Sequence, residues 1–243
     1  MDTIRKENGL LTGELLKYLA MVSMLIDHMA AVLLAPLLLE NYDAVLWGFS
    51  VSALYDGMRD FGRLAFPIYC FLLVEGFFHT SNRKKMLGNL LLFALLSEIP
   101  FDLAFQKETL ELGYQNVFVT LSLGYLGLAA TYEKGLHPLV RFLGVLGFGY
   151  LSFISRADYD LYGYVAILIF GLVYPYRKIY RIPATCLAFY FEGLPAMVAA
   201  LPIYLYNGER GRMRLPKYFF YCFYPVHLAL LYLLSSWIYG PLA

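Results

Sequence analysis

An ionisable side chain in the middle of an apolar helix costs about 2.5–3.5 kcal/mol to insert into a bilayer, so each one kept there is a candidate for chemistry. The sequence places several inside long apolar runs: Asp27 and His28, Glu75 and His79, Glu98 and Asp102, and His227 beside Tyr224 and Pro225. Lys17 stands eleven residues before His28. That is about three helical turns, or about 16 Å, which puts both on one helix face at two depths. A histidine that changes charge near neutral pH suits a general base, or a nucleophile that briefly carries an acyl group. Glu75 and His79, like Glu98 and Asp102, are four positions apart, so each pair projects from one face. The expectation is two facing pairs around a shared interior site. Two nearby carboxylates do not both ionise cheaply in low dielectric, so one is expected to hold a raised pKa or to be paired with Arg63, His28 or His79. His227 fits either a second base or a packing residue.

The elements that must carry these residues are membrane helices. Of 243 residues 60% are hydrophobic, 15% are charged, and net charge is +1. Soluble domains are roughly 45–50% apolar and roughly 25% charged. A soluble domain, a disordered chain and a nucleic-acid binder are therefore excluded. Three cysteines, each inside an apolar stretch, give neither a disulfide framework nor zinc-ligand spacing and read as buried free thiols. A span needs about 20 mostly apolar residues. Candidates are 15–39, 61–78, 86–105, 117–132, 139–155, 161–174 and 218–239, the first too long for a signal peptide and so a retained span. The expected fold is an all-α, polytopic helical bundle of about eight or nine hydrophobic segments, forming a single domain over 1–243. Residues 40–59 are mixed in polarity and suit an interfacial helix or loop. Cytoplasmic loops carry the Lys and Arg excess. An amino terminus in the cytoplasm places all but four of the 19 basic residues inside, the exceptions being Arg59, Arg63, Lys107 and Arg156. Segment 182–206 then leaves and returns to one side, as a broken hairpin hinged near Glu192–Pro195.

Two basic clusters, Arg83-Lys84-Lys85 and Arg210 to Lys217, flank the candidate site on that side, with Lys17 deeper along the same path. Together they suit the phosphates of a soluble cosubstrate.

The strings Asp27-His28, Phe61-Gly62-Arg63-Leu64-Ala65-Phe66-Pro67, Leu73-Val74-Glu75-Gly76-Phe77 with His79-Thr80, Ser97-Glu98-Ile99-Pro100-Phe101-Asp102, and Phe223-Tyr224-Pro225-Val226-His227 resemble the TraX family. Asn116-Val117, Asp158-Tyr159 and Leu205-Tyr206-Asn207-Gly208 follow in the same order, so the resemblance runs from about residue 15 to 236. It implies a bacterial inner-membrane acetyltransferase, since the family's named member acetylates the amino terminus of conjugative pilin. A wider resemblance is to the membrane acyltransferase-three superfamily. Its basic residue, ten intervening positions and His match Lys17 and His28, and its Ser-Gly-Phe before a basic loop is similar to Glu75-Gly76-Phe77, with Glu in place of Ser. Its last-span His matches His227.

The expected function is transfer of an acetyl group from cytoplasmic acetyl-CoA to an amine or hydroxyl at or beyond the membrane, on a peptide, glycan or small molecule. His28, oriented by Asp27 or a neighbouring carboxylate, would act as base. Arg63 or His79 would stabilise the oxyanion, Glu75 would set protonation states, and Glu98, Asp102, Tyr224 and His227 would bind the acceptor. Lys17, Arg83, Lys84 and Lys85 would hold the nucleotide, with no metal. A proton-coupled transporter, and behind it a metal-dependent intramembrane hydrolase using His28, His79 and the carboxylates as ligands, are the alternatives.

Overall fold

The computed structural model describes residues 9–133, 135–212, 215–216 and 218–240; Arg5, Lys6, Lys134, Arg214 and Lys217, counted among the basic residues above, lie outside them. Thr12 caps helix α1 (Gly13–Met29), its hydroxyl accepting the Leu15 N–H at 3.3 Å. Pro36 has no N–H for the carbonyl of Val32. The ladder widens there into a π turn (Ala30–Leu34) before resuming as α2 (Ala35–Glu40), and the freed Val32 carbonyl takes the Ser235 hydroxyl at 3.2 Å. A tight hairpin, β1 (Val45–Leu46) and β2 (Phe49–Ser50), follows. Trp47 and Gly48 both have positive φ, as a two-residue hairpin turn requires. Then come α3 (Val51–Gly62), α4 (Ala65–His79), α5 (Arg83–Phe105), α6 (Val117–Tyr132), α7 (Pro138–Ser155) and α8 (Asp160–Val173). The broken segment is α9 (Arg181–Ala188), α10 (Leu194–Met197) and α11 (Ala200–Tyr204), and α12 (Phe219–Tyr239) closes the bundle.

The chain is thus an all-α membrane bundle. Among the described residues, five helical stretches are long and apolar enough to cross a bilayer, and three shorter ones are apolar as well. Observed ends lie within a few residues of the apolar runs. The mixed stretch before Arg63 is a β-hairpin followed by the amphipathic α3. The segment expected to turn back on itself does so, with α11 packed along α9.

Helix α4 packs on α1, α6, α8 and α11, and it is apolar on every side because it is surrounded. Phe66, Ile68, Phe71, Val74 and Phe77 are all buried there. Between α6 and α8 the backbones close through small residues. A Cβ on Gly124, Gly127 or Gly171 would meet Ile167, Tyr164 or Leu128 at 2.3–2.6 Å. Such notches replace the hydrophobic drive that lipid does not supply. Helix α7 sends Leu139, Phe142, Leu143 and Leu146 outward, as a lipid-facing helix does. Of the three cysteines only Cys70 is buried; Cys186 is partly buried and Cys222 is exposed on α12.

Backbone contacts close the bundle at the start of α1. Leu10 and Leu11 donate to the Leu205 carbonyl at 2.9 and 3.0 Å, and the first N–H groups of α1 reach the Glu209 and Arg210 carbonyls. Arg210 is thereby fastened to the opening turn of the helix that carries Lys17.

Candidate functional site

A cavity of about 1020 Å³ runs along α1 and α4. Its lining starts at a basic end with Lys17, Lys85, Arg210 and the Thr80-Ser81-Asn82 turn, and reaches Asp27, Arg59, Arg63, Asp158 and Glu192 at the opposite end. His28 lies on its wall near the latter. Arg63 and His79 bracket α4 and stand about 24 Å apart along its axis. The cavity therefore extends along most of α4, a length of the order of a hydrocarbon core of about 30 Å.

Asp27 does not orient His28. Its carboxylate is taken by Arg59 at 2.7 Å, and the close approach needs Gly62, where a Cβ would fall 2.2 Å from Asp27 Oδ1. His28 instead bonds His227, Nδ1 to Nε2, at 2.7 Å. The two rings lie within 4° of parallel with centroids 5.0 Å apart. That separation belongs to imidazoles joined in line, nitrogen to nitrogen, rather than laid face to face. Phe105 and Tyr224 meet the His28 ring edge-on at 5.3 and 5.9 Å. Tyr224 shares the cavity wall with His28, while His227 stands behind it, away from the lining.

Arg63 is held by Glu192 from the tip of the returning segment. Gly193 there has φ 85°, a conformation open to glycine that lets the chain reverse. His79 lies at the other end of α4 from Arg63, so the two cannot act on one oxyanion. Its Nδ1 is 2.9 Å from the Glu75 carbonyl and 3.1 Å from the Tyr174 hydroxyl. Glu75 is clamped: Tyr206 donates to Oε1 and Tyr174 to Oε2, each at 2.7 Å. This carboxylate ties α4 to α8 and to the segment after α11.

The two acidic pairs do not face one another. Glu98 accepts from the side chain and backbone of Asn116, and Asp102 accepts the Glu111 N–H at 2.8 Å. Neither lines the cavity. Both accept hydrogen bonds from the connection between α5 and α6. Of the cluster at 83–85, only Lys85 lines the cavity. Arg83 lies over the Phe77 ring at 4.3 Å and 3.9 Å from Glu133, and Lys84 is exposed. Lys17 lines the cavity with its ammonium 5.3 Å from the Phe220 ring centre.

Several lining residues were not legible as site residues. Arg59 precedes Arg63 by four positions, the spacing of a shared helix face, and that signal was available. Asp158 and Tyr159 sit in a turn where Arg156, Tyr159 and Asp160 all have positive φ. Non-glycine residues hold such conformations only where the surroundings over-determine them. Here the Thr120 hydroxyl donates to the Asp158 carbonyl, Asp158 N–H reaches the Gln115 carbonyl at 2.8 Å, and the Tyr159 ring stacks 3.6 Å from Phe66. The Asp158 carboxyl is pushed up to about 6, first by burial and then by Asp27 and Glu192 nearby, against the hydrogen bond from Tyr114. Each of these acts by favouring or disfavouring the charged form.

The geometry offers cations at one end, one imidazole of a bonded pair on the wall, and a charged lattice at the other end. The family described as TraX protein matches residues 12–235. The chain is 31% identical over 246 residues to a probable fimbrial assembly protein, FimC of serogroup H1, from Dichelobacter nodosus, covering 89% of this chain and 92% of that protein. No solved structure matches it. A family match over nearly the whole of a multi-pass helical chain, together with so similar a relative, places this protein in the TraX family.

Proposed function

We propose that the protein is a transmembrane acetyltransferase. It takes acetyl groups from acetyl-CoA at the basic end, facing the cytoplasm of the inner membrane, and passes them to an amine or hydroxyl acceptor arriving from the opposite end. The observation that carries this reading is the continuous cavity joining Lys17, Lys85 and Arg210 to the Asp27–Arg59 and Arg63–Glu192 pairs, with His28 on its wall between them. A soluble donor and a membrane or external acceptor need such a through-going path.

Lys17, Lys85 and Arg210 would hold the nucleotide phosphates. The thioester, on its long flexible arm, reaches down the cavity toward His28. His28 takes the proton from the acceptor N–H or O–H as that atom bonds to the acetyl carbon. The carbon–sulfur bond breaks, and the thiolate leaves as free thiol with the proton from the imidazolium. Arg63, fixed by Glu192, faces the carbonyl oxygen where charge develops. The acceptor is a peptide, glycan or small molecule. The fimbrial role in the relative's name makes a pilus peptide the first to try.

The test is binding and turnover of labelled acetyl-CoA by purified protein in detergent. Saturable binding and acetyl release are expected, with His28→Ala losing about 10²–10⁴-fold in turnover while binding persists. Lys17→Ala combined with Lys85→Ala should weaken binding more than turnover. Folded protein that binds no acetyl-CoA overturns the reading and favours a proton-coupled transporter using the same polar path.

A further inference from the structure

Resting on that reading, we infer that His227 is a positioning residue that locks His28 into one tautomer, leaving His28 Nε2 as the unprotonated nitrogen presented to the cavity. The relay begins at a carbonyl. His227 Nδ1 is 2.7 Å from the Phe223 backbone oxygen. That oxygen can only accept, so the proton sits on His227 Nδ1. A neutral imidazole has one N–H, so His227 Nε2 is an acceptor. The atom 2.7 Å from it, His28 Nδ1, must then be the donor. That leaves His28 Nε2 with its lone pair. Among the described residues no side chain hydrogen-bonds this nitrogen, and His28 lines the cavity while His227 does not.

Three rings keep the relay in register. Phe223 stacks on His227 at 4.7 Å and 20°, and Phe105 and Tyr224 wall His28. The near-parallel imidazoles, 4° apart, point the Nδ1–H of His28 along the lone pair of its partner. In a serine-protease triad a carboxylate fixes the tautomer and also stabilises the imidazolium. Here a neutral imidazole backed by a carbonyl does the first task with no negative charge, and Asp27 is engaged elsewhere by Arg59. His227 therefore acts through His28 and does not exchange protons with substrate.

With four histidines in the chain, the tautomers can be read directly. Full-length protein labelled with ¹⁵N-histidine is compared with His28→Gln and His227→Gln to assign the two rings. His28 and His227 should both show a protonated Nδ1 and a bare Nε2 when neutral. In His227→Leu, His28 should move to the Nε2–H form that free imidazole side chains favour, and acetyl-CoA turnover should fall about 10–100-fold, as for loss of a partner that orients a functional histidine, with KM unchanged. His227→Gln, whose Oε1 takes the place of Nε2 as acceptor, should keep the His28 tautomer and rescue most of kcat. An Nε2–H signal from His28 in the wild type, or a tautomer unmoved in His227→Leu, overturns the inference. Equal loss of kcat in His227→Gln and His227→Leu also overturns it and makes His227 a proton-transfer group. If the tautomers are as stated and no variant turns over acetyl-CoA, the relay stands and the acetyltransferase reading falls.

Discussion

Gly62 is the backbone floor on which Asp27 rests, and the smallest side chain would displace it. An added methyl would meet Asp27 Cβ at 2.3 Å as well as its carboxylate, so the contact cannot be relieved by rotating a flexible tip. Gly62→Ala should cost about 1–3 kcal/mol through overpacking and lose the Arg59 pair. Gly57→Ala, with nothing within 4 Å of the new atom, is the matched control. Thermal unfolding in detergent compares them, and equal midpoints would refute the overpacking. Asp158 carries a prediction in pH. Its folded pKa lies above the unfolded value, at about 6 against 3.8, so the native state holds a proton that the unfolded chain has released between those limits. Its contribution to stability is greatest below pH 4 and is lost as pH rises through 6. Asp158→Asn keeps an acceptor for Tyr114 and removes this penalty. The variant should gain about 1–3 kcal/mol over wild type between pH 4 and 7, less where cavity water screens the charge. Unfolding midpoints at the two pH values, taken as a difference between the proteins, give the number.

Elements defined by continuous apolar composition could be read directly, because about twenty mostly apolar residues in lipid must satisfy their own backbone, which a helix does within one segment. Helix α5 and helix α12 begin and end almost where their runs do. Helix α3 falls mostly in the mixed stretch that suits an interfacial helix or loop, and the first of these forms; composition alone does not separate the two. The returning segment was legible from its flanking charges and its Glu-Gly-Pro break; its attachment was not. Arg63 and Glu192 are 129 positions apart, and Glu75 and Tyr206 are 131. Periodicity says which face a residue occupies, never which distant partner meets it. That is why Glu98 and Asp102, correctly placed on one helix face, were assigned to the wrong neighbours. Gly193 tests the element whose Glu192 lines the far end of the cavity. Its φ is 85° and its ψ is 179°. Side chains resist that conformation at about 1–3 kcal/mol. Gly193→Ala should lower the unfolding midpoint and loosen the tip that carries Glu192. Glu192→Cys should then react faster with a thiol reagent when combined with Gly193→Ala than alone, and equal rates would show the tip unmoved.

At the scale of the molecule, the proposed transfer requires the two cavity ends to open on opposite sides of the membrane. Ser81 lies in the turn before α5 and Gly113 in the loop after it. In a background with Cys70, Cys186 and Cys222 replaced, Ser81→Cys should react with a membrane-impermeant maleimide only from the cytoplasmic side, and Gly113→Cys only from the other. Labelling of both from one side would break the topology on which that transfer depends. The imidazole pair has a consequence for how the protein is made. His28 and His227 are 199 residues apart, on the first and last spans. At about 5–20 residues per second, a ribosome takes about 10–40 s to travel between them. During that interval α1 is already synthesised, but its buried polar side chain at His28 and the open N–H groups of its first turn await partners from α12 and residues 205–210. Helix α1 is therefore satisfied only by partners made about 200 residues after it, and the imidazole pair cannot form before α12 has emerged. A nascent chain arrested before Phe219 would hold Lys17, Lys85 and His28 but lack the imidazole that His28 bonds.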